Sequence, residues 1–189
     1  MRVFVALKLP REFLASLEET LRPLREKHPL FRWTGEENFH ITLAFLGELE
    51  KSGVSLLEKA AERAVQGLER IPISGGKLFT LPRGKAARVL ALDIGEGKES
   101  LSALAAALEK AMDALGQEEG FPLRPPEKRP FRAHITLARR GSSPLCLPRE
   151  EENPLSPIRG TLRELAVFKS ELFREGPRYS PLRVYSLGP

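Results

Sequence analysis

Apolar and polar residues alternate with two different periods along this chain, and the switches between them outline its elements. Residues 2–9 form a β-branched and aromatic run that reads as a strand. Pro10 stands where a helix start tolerates a missing N–H, and Phe13, Leu14, Leu17, Leu21 and Leu24 recur at helical spacing to about His28. Residues 39–46 alternate with period two, a strand closed by Gly47. A helix over 54–68 carries Leu57, Ala60, Ala61, Ala64 and Val65 on one stripe. Strands over 72–81 and 87–94 flank Pro82-Arg83-Gly84-Lys85, a hairpin signal. An alanine-rich amphipathic helix over 101–115 ends before Gly116, and a Pro- and charge-rich loop over 120–130 leads to a strand over 131–138. Residues 141–157 are irregular, and strands over 162–169 and 178–186 close the chain. The order is βαβαββαβββ.

Two of these strands carry the same word. His-Ile-Thr-Leu-Ala occupies His40–Ala44 and again His134–Ala138, and these are two of the chain's three histidines. Alternation places His and Thr of each copy on one face, with Ile and Leu behind as an apolar anchor. The strand over 39–46 is too alternating for a sheet covered on both faces, and no GxGxxG or GxxxxGK[ST] turn is present. The pattern therefore predicts two similar α+β lobes, each lending one His strand to a shared surface.

Composition narrows the class. With 41% hydrophobic and 29% charged residues the chain reads as soluble and globular, and no apolar run is long enough to span a bilayer. The first residues lack the apolar core and cleavage site of a signal peptide, and the single Cys146 excludes an internal disulfide. A cytoplasmic location is the expectation, with Cys146 inert. Asn and Gln number two each beside 16 Pro, a bias of heat-adapted proteins. A net charge of +5 suits a polyanionic partner. Arg124, Lys128, Arg129 and Arg132 lead into the second word, Arg139-Arg140 leave it, and Arg83, Lys85 and Arg88 flank the hairpin turn.

At residue level the chain resembles the 2H phosphoesterase superfamily, and more closely its RNA 2′,3′-cyclic phosphodiesterases, once described as 2′-5′ RNA ligases. Arg32-Trp33, then Asn38 through Gly47, and the second word with its trailing Arg139 carry the resemblance. It extends over nearly the whole chain, residues 141–157 excepted. It implies an α+β fold of two pseudo-symmetric lobes, residues 1–189 forming one bilobal domain whose antiparallel sheets enclose a V-shaped cleft, helices outside. It also implies catalysis without metal or cofactor, a 2′-phosphate product, His40 as proton donor and His134 as proton acceptor.

The chemistry asks for these residue types independently. Opening a cyclic phosphodiester needs a base for water and an acid for the departing oxygen, which two histidines supply near neutral pH. Thr42 and Thr136 offer hydroxyl donors to the phosphate oxygens. Arg139 falls on the opposite face by strict alternation, so its phosphate contact rests on the resemblance and requires a strand end or twist. A cation beside His134 would favour the neutral imidazole that a base needs, leaving His40 freer to stay protonated.

Phe39 and Phe45 share the face opposite His40 by parity, which directs them to the core; Trp33 and Phe45 are the candidates for base stacking. His28, at a helix C-terminus, is structural. A zinc site lacks its third ligand. The resemblance implies RNA or a nucleotide with a 2′,3′-cyclic phosphate as partner; no membrane involvement and a monomer are the expectations. Ligation of a cyclic end to a 5′-hydroxyl and non-catalytic RNA binding are the competing readings.

Overall fold

The computed structural model describes the whole chain except residues 83, 85, 121–122, 124–129, 143–144, 146–152, 154–156, 175 and 189. Its elements run β1 (Arg2–Lys8), α1 (Arg11–Lys27), β2 (Arg32–Trp33), a 3-10 turn (Glu36–Asn38), β3 (His40–Glu48), α2 (Lys51–Val65), β4 (Ile71–Leu81) and β5 (Val89–Ile94). They continue with α3 (Lys98–Glu118), β6 (His134–Arg139), β7 (Arg159–Leu162), β8 (Glu164–Phe173) and β9 (Gly176–Ser186).

All strands join one antiparallel sheet ordered β7-β4-β5-β6-β3-β1-β8-β9, with β2 paired to β6 off that path. The two His strands lie at its centre. They meet at a single pair, Ile41 opposite Ile135, and these are the same position in the two words. An antiparallel pair of equivalent residues marks a local two-fold axis. Outward from it the order reads β3-β1-β8-β9 on one side and β6-β5-β4-β7 on the other. In each lobe the two inner strands flank a helix in the chain, β1-α1-β3 and β5-α3-β6. Because one pair alone joins the halves and β2 takes the place beside Ala138 and Arg139, the lobes diverge into a V.

The helices cover the outer face. Phe13, Leu17, Leu21 and Leu24 of α1 are buried at i, i+4, i+8 and i+11, the spacing of a single stripe. Each such side chain contributes roughly 1.5–3 kcal/mol on burial. Helices α2 and α3 pack on each other. The core beneath them takes Val3, Val5 and Leu7 of β1, Ile41 and Leu43 of β3, and Ile135 and Leu137 of β6.

Several boundaries differ from the sequence reading: α2 starts and ends three residues earlier than 54–68, and the strand expected over 162–169 begins at Glu164 and runs to Phe173. Gly116 does not end α3 but is buried within it beside Leu115, so packing holds a weak helix former in place. Gly47 does not close β3; it sits at φ +71°, a conformation that favours glycine, while the strand continues to Glu48. The strand over 131–138 starts only at His134. Strands β2 and β7 were too short to show a period.

Candidate active site

The two words fold alike down to their irregularities. In β1–β3 the ladder pairs Lys8 with His40, Ala6 with Thr42, Val5 with Ala44 and Phe4 with Phe45, so Leu43 is an extra residue. In β5–β6 it pairs Asp93 with His134, Ala91 with Thr136, Leu90 with Ala138 and Val89 with Arg139, so Leu137 is extra. Each word therefore contains a β-bulge, which lets Leu and Ala both point to the core and returns the next residue to the His face. Cross-strand partners share a face. His40, Thr42 and Phe45 thus lie on one face with Phe4, Ala6 and Lys8, and His134, Thr136 and Arg139 on one face with Val89, Ala91 and Asp93.

This overturns the two parity arguments. Arg139 needs no strand end to face the cleft, because the bulge puts it there. Phe45 is not core: it is 49% exposed, whereas Phe39 is buried as expected.

Continuing the Ile41–Ile135 register by one residue each way sets His40 across from Thr136 and Thr42 across from His134. Two imidazoles and two hydroxyls thus meet at the floor of the cleft, around the two-fold.

Each strand begins at its histidine, so the residue two positions earlier stands outside the ladder with its carbonyl available. His40 Nδ1 lies 2.7 Å from the Asn38 carbonyl and His134 Nδ1 lies 2.8 Å from that of Arg132. A carbonyl only accepts, so Nδ1–H donates in both rings and Nε2 is left for chemistry.

Around the histidines the lobes differ. His40 packs on Phe4 (5.0 Å between centroids) and receives Tyr179 edge-on (5.3 Å). Burial pushes its pKa below the ordinary histidine value, the Asn38 carbonyl opposes this, and the charges of His134 and Arg139 lower it further. The Arg139 charge therefore bears on His40, the reverse of the sequence expectation that it leaves His40 freer to stay protonated. Burial likewise raises Tyr179, against the fields of Arg139 and Arg2. His134 has Phe79 edge-on at 6.4 Å. Arg132 lies over that ring at 3.7 Å and pairs with Asp93 at 3.6 Å, so this cation is turned away from the cleft centre.

Phe4, Tyr179 and Asp93 escaped the sequence reading because nothing local marks them; register alone brings them to the histidines. Trp33 is held toward α1 by a bond from Nε1 to the His28 carbonyl (3.0 Å) and by Arg25, away from the cleft face. His28 stacks on Phe31 at the end of α1. Arg88 and Arg140 are exposed. Arg83, Lys85, Arg124, Lys128, Arg129 and Cys146 lie outside the described residues. Among the described residues no three of His, Cys, Asp or Glu cluster as metal ligands, and no helix is long and apolar enough to cross a membrane.

Comparison with known proteins bears on family and fold. The LigT-like phosphoesterase family matches residues 7–88 and 94–179. An RNA 2′,3′-cyclic phosphodiesterase of Thermus thermophilus is 30% identical over 99% of this chain and 90% of its own length. One from Thermotoga maritima is 27% identical over 96% and 93%. A crystal structure of a Thermus thermophilus protein superposes with a TM-score of 0.81 at 28% identity, covering 99% of this chain and 98% of the other. E. coli LigT complexed with 3′-AMP superposes with 0.76 at 26% identity, covering 98% and 97%. With a family match over most of its length and the paired His-x-Thr words at the centre of its sheet, the chain belongs to the LigT-like phosphoesterases.

Proposed function

We propose that this protein hydrolyses the 2′,3′-cyclic phosphodiester ends of RNA to 2′-phosphomonoesters, using its two histidines and no metal. The observation that carries the reading is the pair of Nδ1-tethered imidazoles on one cleft floor, each with Nε2 free and a threonine alongside. Relatives named RNA 2′,3′-cyclic phosphodiesterase and a relative complexed with 3′-AMP supply the substrate class.

In the proposed step water attacks phosphorus and gives its proton to His134 Nε2. The bond from phosphorus to the ribose 3′-oxygen breaks, and that oxygen takes a proton from His40. The phosphate stays on the 2′-oxygen. Thr42, Thr136 and Arg139 hold the non-bridging oxygens as negative charge grows on them. The roles follow from surroundings: the Nδ1 bond of the half-buried His134 runs to the exposed Arg132, which suits a base that collects water. His40 is enclosed by Phe4 and Tyr179, and its lowered pKa makes it the stronger acid once protonated. The anion of a bound substrate favours that protonated form. Since each lobe supplies half of the pair, residues 1–189 act as one bilobal unit, complete in a monomer.

The test is incubation with a 2′,3′-cyclic nucleotide with and without EDTA, the product being identified by phosphorus NMR. A 2′-phosphate formed equally in both supports the reading. No turnover refutes it, loss in EDTA refutes the metal-free step, and a 3′-phosphate refutes the choice of leaving oxygen.

A further inference from the structure

Strand β2 pairs with β6 so that Arg32 stands directly opposite Arg139, and Trp33 opposite Ala138. Ala138 points to the core and Arg139 to the cleft, so Arg32 also faces the cleft, in the gap where the lobes diverge. Two like charges opposite each other on a ladder repel. Here neither has a carboxylate partner at ion-pair distance among the described residues, and both are exposed. Lys8 pairs with Glu164 at 2.6 Å and Arg132 with Asp93, while Arg2 lies over the Phe45 ring at 5.0 Å, on the other lobe. An uncompensated pair of arginines on a cleft face calls for anionic charge from a ligand.

The facing pair itself points to the ligand. A cyclic nucleotide without further phosphates carries one negative charge, which Arg139 meets beside the threonines. The second cation stays unmatched unless the substrate brings a second phosphate. An RNA end does so, through the phosphodiester on the 5′ side of the terminal nucleoside.

We propose that Arg32 binds this neighbouring phosphodiester, so that the site selects RNA chain ends over free cyclic nucleotides. The inference rests on the phosphodiesterase reading above and adds the residue that sets substrate length. Arginine suits the task because its planar fork meets two phosphate oxygens at once.

The experiment measures kcat/KM on cytidine 2′,3′-cyclic phosphate and on a dinucleotide ending in the same cyclic nucleotide. It uses the wild type, Arg32→Gln and Arg32→Lys, each at several salt concentrations. A charge-assisted contact is worth about tenfold or more, so the wild type should prefer the dinucleotide by at least about that factor. Arg32→Gln should lose most of the preference and Arg32→Lys keep part of it. For the dinucleotide, log kcat/KM should fall less steeply with log salt in Arg32→Gln than in the wild type, because one screened charge contact is gone. A merely structural arginine would not change that slope. Equal wild-type turnover of both substrates overturns the inference alone. So does an equal fractional loss on both in Arg32→Gln, which would put Arg32 on the reacting phosphate. If neither substrate is turned over, the phosphodiesterase reading fails and takes this inference with it.

Discussion

Replacing Arg139 by Gln probes the bulge, the phosphate site and the assignment of proton roles at once. The bulge at Leu137 places Arg139 on the face of His134 and Thr136, and its charge lowers the His40 pKa. Loss of one charge-assisted hydrogen bond to the phosphate costs about 1.5–3 kcal/mol, a fall of roughly 10- to 150-fold in kcat/KM. The second consequence is electrostatic. Without the guanidinium, one of the cationic fields opposing the imidazolium is gone, so the His40 pKa rises. If His40 is the acid, activity requires its protonated form, and the alkaline limb of kcat/KM moves to higher pH. If His40 were the base, the acid limb would move up instead. The assay is a pH profile of kcat/KM on a cyclic nucleotide, with an NMR titration of the His40 ring in the free protein to identify the limb. Activity within about twofold of wild type, with an unmoved His40 titration, would refute both the placement of Arg139 and its coupling to His40.

His40→Ala and His134→Ala should each lose at least ~10² in turnover with the fold intact, as circular dichroism would verify, and near-wild-type rates would remove the acid–base pair. On a nitrophenyl phosphodiester, whose leaving group needs little protonation, His40→Ala should recover much of its loss while His134→Ala stays impaired; the opposite pattern exchanges the roles. Thr42→Val and Thr136→Val keep shape and strand propensity but remove a donor, and should each slow turnover by ~10-fold or more; unchanged kinetics in both would make the hydroxyls structural. Because the folded His40 pKa lies below its unfolded value of 6.5, the unfolded chain takes up the proton first, and stability present above that pH is lost as pH falls. Urea midpoints between pH 7.5 and 5 should therefore drop further for wild type than for His40→Gln, and equal drops would show that burial does not restrain His40 protonation.

Long periodic segments were legible because packing demands the same spacing that local structure allows. The stripe Phe13, Leu17, Leu21, Leu24 marks α1, and the repeated word marks β3 and β6. What strict period two misplaced, Phe45 and Arg139, lies beyond a bulge at the Leu-Ala step of the word, where both side chains are buried. A bulge of this kind has no signature in polarity: Leu43-Ala44 reads equally as a strand's last alternation. Gly116 reads as a stop by its low propensity, yet buried packing around α3 outweighs a helix cost of about 1 kcal/mol. Tyr179 and Phe4 reach His40 from strands that are distant in the chain or in the sheet, and Arg32 meets Arg139 through a two-residue strand. Such meetings are set by register, which the order of residues does not reveal until the strands are paired.

The duplicated word poses a problem that the rest of the chain resolves. A two-fold pair of identical histidines, each tied through Nδ1 to a carbonyl two residues back, would give equal affinity for a proton at both sites. Directed hydrolysis needs one acid and one base. The symmetry holds through the bulge and breaks at the residues just outside the word. After it come Phe45 in one copy and Arg139 in the other; before it come Asn38 and Arg132. Opposite the histidines, the ladder sets Lys8 against His40 and Asp93 against His134, opposite charges at equivalent places. Antiparallel pairing also sends Phe45 and Arg139 to opposite ends of the cleft, which is why Arg139 acts on His40 and not only on its own strand. In the proposed mechanism the repeated segment thus builds the floor common to both roles. The unrepeated flanks enclose one imidazole in Phe4 and Tyr179 and leave the other nearer water, so the division of labour proposed for the pair would lie where the two halves of the sequence no longer match.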